Sequence, residues 1–205
     1  MKNLASLNPS SITPSFITVP SSSRRGFMRS GGALSAVAVS LLAGNQALAA
    51  GMKGDVSKDV SILNVALALE HEAINAYQLG AGSGLLQKPV LDIAVSFQGH
   101  HKAHRDALIA TIQKLGGTPV AEQKIEVYAE SLKASTLKNQ ADVLSLAARL
   151  ELGATNAYLG VIPAFGDSAL AQVAARLAAD ETMHYTVLTS ALGRPLPVGA
   201  LSFGA

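Results

Sequence analysis

The 205-residue sequence contains no cysteine and no tryptophan, and only 4% of its residues are aromatic. Without thiols there is no disulfide, Fe–S cluster, Cys₄ zinc site or thiol nucleophile, so any bound metal must be held by oxygen and nitrogen ligands. Acidic residues are missing from the first fifty positions, which carry Lys2, Arg24, Arg25 and Arg29. Those four cations account for the formal charge of +2; the remainder holds twelve basic against fourteen acidic residues, a net −2. A basic surface for nucleic acid is therefore not expected. Also lacking are a Gly-rich phosphate loop, a dinucleotide fingerprint and a Ser/His/Asp triad, and the GAGSG stretch at 80–84 follows a helical pattern rather than a strand, so it reads as a turn.

What is present begins with an address. SRRGFM at 23–28 precedes the apolar run GGALSAVAVSLLAG at 31–44, and ALA-A at 47–50 supplies small residues for a signal peptidase. The paired arginines resemble a twin-arginine export signal, which implies a cleaved leader over 1–49 and a periplasmic or extracellular domain over 50–205. A single membrane anchor is the alternative, but the apolar run is shorter than the ~20 residues of a spanning helix, so no permanent anchor is expected. The twin-arginine route carries folded proteins, commonly with a cofactor in place.

Downstream, 55–80 shows apolar residues at helical spacing, with Asp55, Ser57 or Asp59 available to cap it. A second helix starts at Pro89 and runs to a Gly-Gly stop at 116–117. The polar stretch 118–136 reads as a crossover with room for one short helix. Helices over about 138–162 and 168–192 follow, the last with Asp167 as N-cap and Gly193 as terminator. No segment alternates as a strand does. The expected fold is all-α: a four-helix bundle with one long crossover between helices 2 and 3.

The chain also reads as a doubled helical hairpin. LEHEAINAY at 69–77 is echoed by LELGATNAY at 150–158, and HHKAHRDAL at 100–108 by DETMHYTVL at 180–188. On a helical wheel centred on Glu70, Leu63, Leu67, Ile74 and Tyr77 all fall within roughly 60°, so the carboxylate lies in the apolar stripe. Glu72 falls roughly 200° away and reads as solvated. Leu144, Ala148, Thr155 and Tyr158 frame Glu151 in the same way. Burying ionised carboxylates among aliphatics costs several kcal/mol unless a cation or dense hydrogen bonding compensates. Glu181 and His184 form an E-x-x-H pair flanking the stripe of Val173, Leu177 and Leu188, while His101 and His104 straddle the apolar stripe of the second helix. His71 and His100 read as rim residues, with Gln98 and Arg105 nearer solvent.

One core Glu on each of two helices and Glu-x-x-His on another resemble the dinuclear carboxylate site of the ferritin-like superfamily, and the wording is most similar to small exported bacterial ferritin-like domains. The resemblance implies metal ligands at Glu70, His101, His104, Glu151, Glu181 and His184. It implies two divalent ions, iron first and manganese or zinc as alternatives, acting on O₂, peroxide or Fe(II). Tyr77 and Tyr158 stand where such proteins carry a tyrosine beside the metal, either as redox residues or as packing with the hydroxyl bonded to Glu. His101 departs from the pattern, standing where the superfamily has Glu. Three carboxylates and three imidazoles shift metal preference away from manganese and weaken one of the two sites, which places the better-ligated ion near Glu151, Glu181 and His184. Two alternatives stay open: a metal-free Glu–His network, and a mononuclear bundle with a binding, metal-sequestering or structural envelope role. Bundles of this kind often pair, so a homodimer is a further expectation.

Overall fold

The computed structural model describes residues 55–204; the expected leader lies outside the described residues. Among the described residues there are five α-helices: α1 Asp55–Gly82, α2 Lys88–Lys114, α3 Ile125–Ser131, α4 Gln140–Val161 and α5 Ser168–Ala191, with 3₁₀ turns at Ala134–Thr136 and Ile162–Ala164. There is no strand among the described residues, and none of their helices is long and apolar enough to cross a membrane. α1 packs along α2 and α4 along α5 as two hairpins, which meet through α1 and α4. The short α3 lies in the crossover, where the sequence leaves room for it.

Local chemistry sets the helix ends. Pro89 stands in the first turn of α2, the Asn139 side chain accepts the Asp142 N–H at 3.0 Å, and the Asp167 side chain accepts the Ala169 N–H at 2.8 Å. After α2, Gly116 has φ +78°, and a Cβ on Gly117 would lie 2.5 Å from Val60 Cγ1, so this turn needs two glycines. Asp59 differs from expectation. It is buried, and its carboxylate accepts the Gly166 N–H at 2.9 Å and the Asp167 N–H at 3.3 Å, tying α1 to the turn before α5 instead of capping its own helix.

The crossover corrects several expected exposures. Asn64 accepts the Val120 N–H at 2.7 Å and donates to Thr118 O, His71 Nε2 lies 3.2 Å from Val120 O, and Asn75 donates to Glu122 at 2.6 Å. These contacts lay the crossover over the outer face of α1, with Tyr128 of α3 beneath it at 1% exposure. Glu72 and His71, read from the wheel as solvated and rim residues, are consequently buried. Gln98 is buried as well, donating to Ile74 O at 3.0 Å between α1 and α2. Val173 departs the other way and is exposed on α5. The tail folds back along α4 and α5: Gly204 N–H donates to Asn156, and Phe203 meets Tyr185 edge to face.

The core is in two apolar blocks. Leu63, Leu67, Leu108, Ile112, Tyr158, Leu170 and Leu177 build one, and Tyr77, Ala94, Phe97, Leu144, Ala148 and Leu188 the other. Between them lies a layer of charge.

Candidate metal centre

Each of the four long helices brings ligand-type side chains to this layer. Glu70 comes from α1, His101 and His104 from α2, Glu151 from α4, and Glu181 and His184 from α5; they stand there because helical periodicity turns each toward the axis. Glu70, His101 and Glu151 are 1% exposed, and Glu181 and His184 are fully buried. All six candidate ligands are thus brought together. They fall into two groups, Glu70, His101, His104, Glu181 and His101, Glu151, Glu181, His184, each with ligand atoms within 4.8 Å of one another. His101 and Glu181 belong to both.

The two tyrosines are exchanged between the halves of the chain. Tyr77 donates to Glu151, and Tyr158 donates to Glu70. Burial first, then the nearby carboxylate charge, holds both phenols well above their ordinary pKa, so they remain proton donors to the glutamates. Phe97 stacks on the His184 ring with centroids 4.0 Å apart and seals the layer from the side of α2.

His101 occupies the centre. Its Nδ1 is 2.8 Å from Glu70 Oε2 and its Nε2 3.2 Å from Glu151 Oε1, so as an imidazolium it serves two carboxylates at once. Burial opposes its positive charge, but Glu151 and Glu70 override that and raise its pKa well above the usual value. Burial likewise opposes ionisation of Glu70, yet His101 and His104 hold it down to about 2. Glu151 is lowered in the same way, chiefly by His101. His104 is pushed up to about 10 against the cost of burial by Glu181 and Glu70. Burial keeps Glu181 above the ordinary carboxylate range despite His104 and His184.

The metal-free site is therefore an ion-paired cluster, and its pH behaviour follows. His104 has its pKa raised, so its contribution is complete below about 6.5 and disappears as pH climbs through about 10. Glu70 has its pKa lowered from 4.5, so its contribution is complete above 4.5 and disappears as pH falls through about 2. Thermal melts in chelator are expected to plateau between these limits and fall on both sides. Metal uptake should release protons, because the imidazoles must be neutral to ligate, and affinity should rise with pH until His104 is deprotonated at about 10. Calorimetry in buffers of different ionisation enthalpy measures the protons released; none released would contradict the charged cluster.

The donor set fits a metal. Glu181 Oε1, His104 Nδ1 and Glu151 Oε2 are buried with no hydrogen-bond partner. Glu181 Oε1 and His104 Nδ1 face each other as an ion pair, so Glu151 Oε2 is the atom whose dry burial an ion would relieve. Ligands about 2.1 Å from one ion stand roughly 3.0–3.4 Å apart. The distance from His104 Nδ1 to Glu181 Oε1 is 3.3 Å, and His184 Nδ1 lies 3.0 Å from Glu181 Oε2 and 3.5 Å from Glu151 Oε1.

Two outer partners complete the arrangement. Asp180 Oδ2 is 3.2 Å from His104 Nε2, and Nδ1 of exposed His100 is 2.9 Å from His184 Nε2. Each turns the opposite nitrogen of its partner toward the carboxylates, the usual way a ligating imidazole is oriented. The rim position expected for His100 agrees with this. Asp180 was missed by sequence reasoning, although its signal was there in the carboxylate immediately before Glu181. Asp180→Ala is expected to lower metal affinity by about 10- to 100-fold without unfolding the bundle, as measured by chelator competition.

The profile of the ferritin-like domain family matches residues 58–194. A crystal structure of a conserved hypothetical protein from Mycobacterium tuberculosis is similar, with a TM-score of 0.57 at 22% identity, covering 72% of this chain and 99% of that one; at this identity the likeness shows the fold. None of the curated proteins searched gives a significant match. The match spans the four long helices that carry every candidate ligand, and the chain belongs to the ferritin-like domain family.

Proposed function

We propose that this is an exported ferritin-like metal protein whose dinuclear carboxylate/histidine site, loaded first with iron, carries out redox chemistry on O₂, peroxide or Fe(II). The observation that carries the reading is the convergence, in a buried layer, of Glu70, His101, His104 and Glu181 and of His101, Glu151, Glu181 and His184, the ligand atoms of each group lying within 4.8 Å of one another. Glu70 and His104 would hold one ion, Glu151 and His184 the other, with Glu181 between them. His101 is the ligand both groups would share, and a neutral imidazole offers one lone pair, so the two halves are unequal. Such a metal pair would supply electron exchange with an oxygen species. The protein's residues fix the ligands and exclude water: Tyr77 and Tyr158 hold the carboxylates by donated hydrogen bonds, and the two apolar blocks keep the layer dry. Export through the twin-arginine pathway after cleavage near Ala49 belongs to the same proposal, because that route delivers a folded, loaded protein.

One observation favours a second reading, a bundle with one metal or none and a binding, sequestering or structural envelope role. With His101 between Glu70 and Glu151, the cluster neutralises itself without a foreign cation. Elemental analysis of natively exported protein, with assays of O₂, peroxide and Fe(II) turnover, separates the two. About two Fe or Mn per chain with turnover supports the first; one Zn or none, without oxygen chemistry, overturns it.

A further inference from the structure

A cleft of about 270 Å³ opens between α2 and α5 and ends at His104. Its sides include Ala103, Ala107 and Thr111, spaced four residues apart on α2, and Leu170, Val173 and Leu177 on α5, with Leu63 of α1 and Leu108 below. Ala103 and Ala107 leave the space open, and the cleft explains why Val173 is exposed on an otherwise apolar stripe. An ion, dioxygen or peroxide needs only about one water's share of volume, about 30 Å³. The cleft is nearer the size of organic-ligand sites, which begin at about 300 Å³.

Its charge is uneven. Asp180 lines it with a half-exposed side chain, its Oδ2 turned to His104 at 3.2 Å. One turn earlier on the same helix stands Arg176, exposed and with no carboxylate partner among the described residues. A largely aliphatic cleft thus carries one exposed, uncommitted guanidinium in its lining, a group suited to a carboxylate.

We propose that this cleft binds a small organic acid with a largely apolar body, its carboxylate on Arg176 and its body against the Leu63, Leu108, Leu170 and Leu177 surface beside His104. This deepens the metal-centre reading by naming an organic substrate class for it, and rests on that reading only for what happens after binding. Binding itself is a property of the α2/α5 cleft and is measurable without metal.

Hexanoate is the probe, 1-hexanol its uncharged counterpart, and methyl chemical shifts of the full mature protein the readout, with and without chelator. Hexanoate is expected to saturate shifts at Leu63, Leu108, Leu170 and Leu177, and to bind about tenfold tighter than 1-hexanol, the scale of one charged hydrogen bond. Arg176→Gln should remove that preference and keep the weak alcohol binding. Ala107→Leu should remove both; if that variant does not fold, Ala103→Val serves. Equal binding of acid and alcohol, shifts elsewhere, or full binding to a folded cleft-filling variant would overturn the proposal. If hexanoate binds as expected to a protein that takes up no metal, the metal reading fails and the cleft stands. If metal loads and hexanoate does not bind, the reverse holds.

Discussion

Glu181→Ala is expected to empty both halves of the centre, reducing metal content below about a tenth of the wild-type value, whereas Glu70→Ala or Glu151→Ala each removes only about half. The asymmetry comes from geometry: Glu181 belongs to both ligand groups, while Glu70 and Glu151 belong to one each. Its Oε1 lies 3.3 Å from His104 Nδ1 and its Oε2 3.0 Å from His184 Nδ1, so one carboxylate faces both positions. Losing a direct ligand should cost more than the about 10- to 100-fold of an outer partner. Elemental analysis after gel filtration measures the three variants side by side, with circular dichroism to confirm the helices. Equal losses from all three would contradict a bridging Glu181.

His101→Glu is expected to act in opposite directions with and without metal. Without metal, His101 is the internal cation that holds Glu70 at 2.8 Å and Glu151 at 3.2 Å. A fourth carboxylate there leaves buried negative charge uncompensated, a loss of about 3–5 kcal/mol and a Tm lower by roughly 10 °C or more. With metal, the substitution restores the carboxylate that the superfamily pattern has at this position, so the second ion should bind more tightly and the stability should return. Thermal melts in chelator and in excess Fe(II) or Zn(II) test both signs. A variant as stable as wild type in chelator would show that His101 does not neutralise the cluster.

The clustering of these side chains was legible in the sequence because its logic is helical. Glu70 with Tyr77 and Glu151 with Tyr158 share a heptad spacing that holds each pair on one face, and E-x-x-H places Glu181 and His184 together. A wheel drawn for one helix knows nothing of what covers its outer side. Glu72 and His71 were therefore misread: the crossover lies over them, fastened through Asn64, His71 and Asn75, contacts between segments some fifty residues apart. The exchange of tyrosines was also invisible, since the repeat shows two equal motifs and only the packing of α1 against α4 shows each hydroxyl reaching the other motif's glutamate. The cleft depends on how α2 and α5 stand relative to each other, which composition and periodicity do not encode.

The most direct test is anomalous diffraction at the iron, manganese and zinc edges from crystals of natively exported protein. The expected result is at least one peak within about 2.5 Å of the Glu181 carboxylate and of Nδ1 of His104 or His184. A map with no peak there, and with His101 still bonded to both Glu70 and Glu151, would contradict a metal centre.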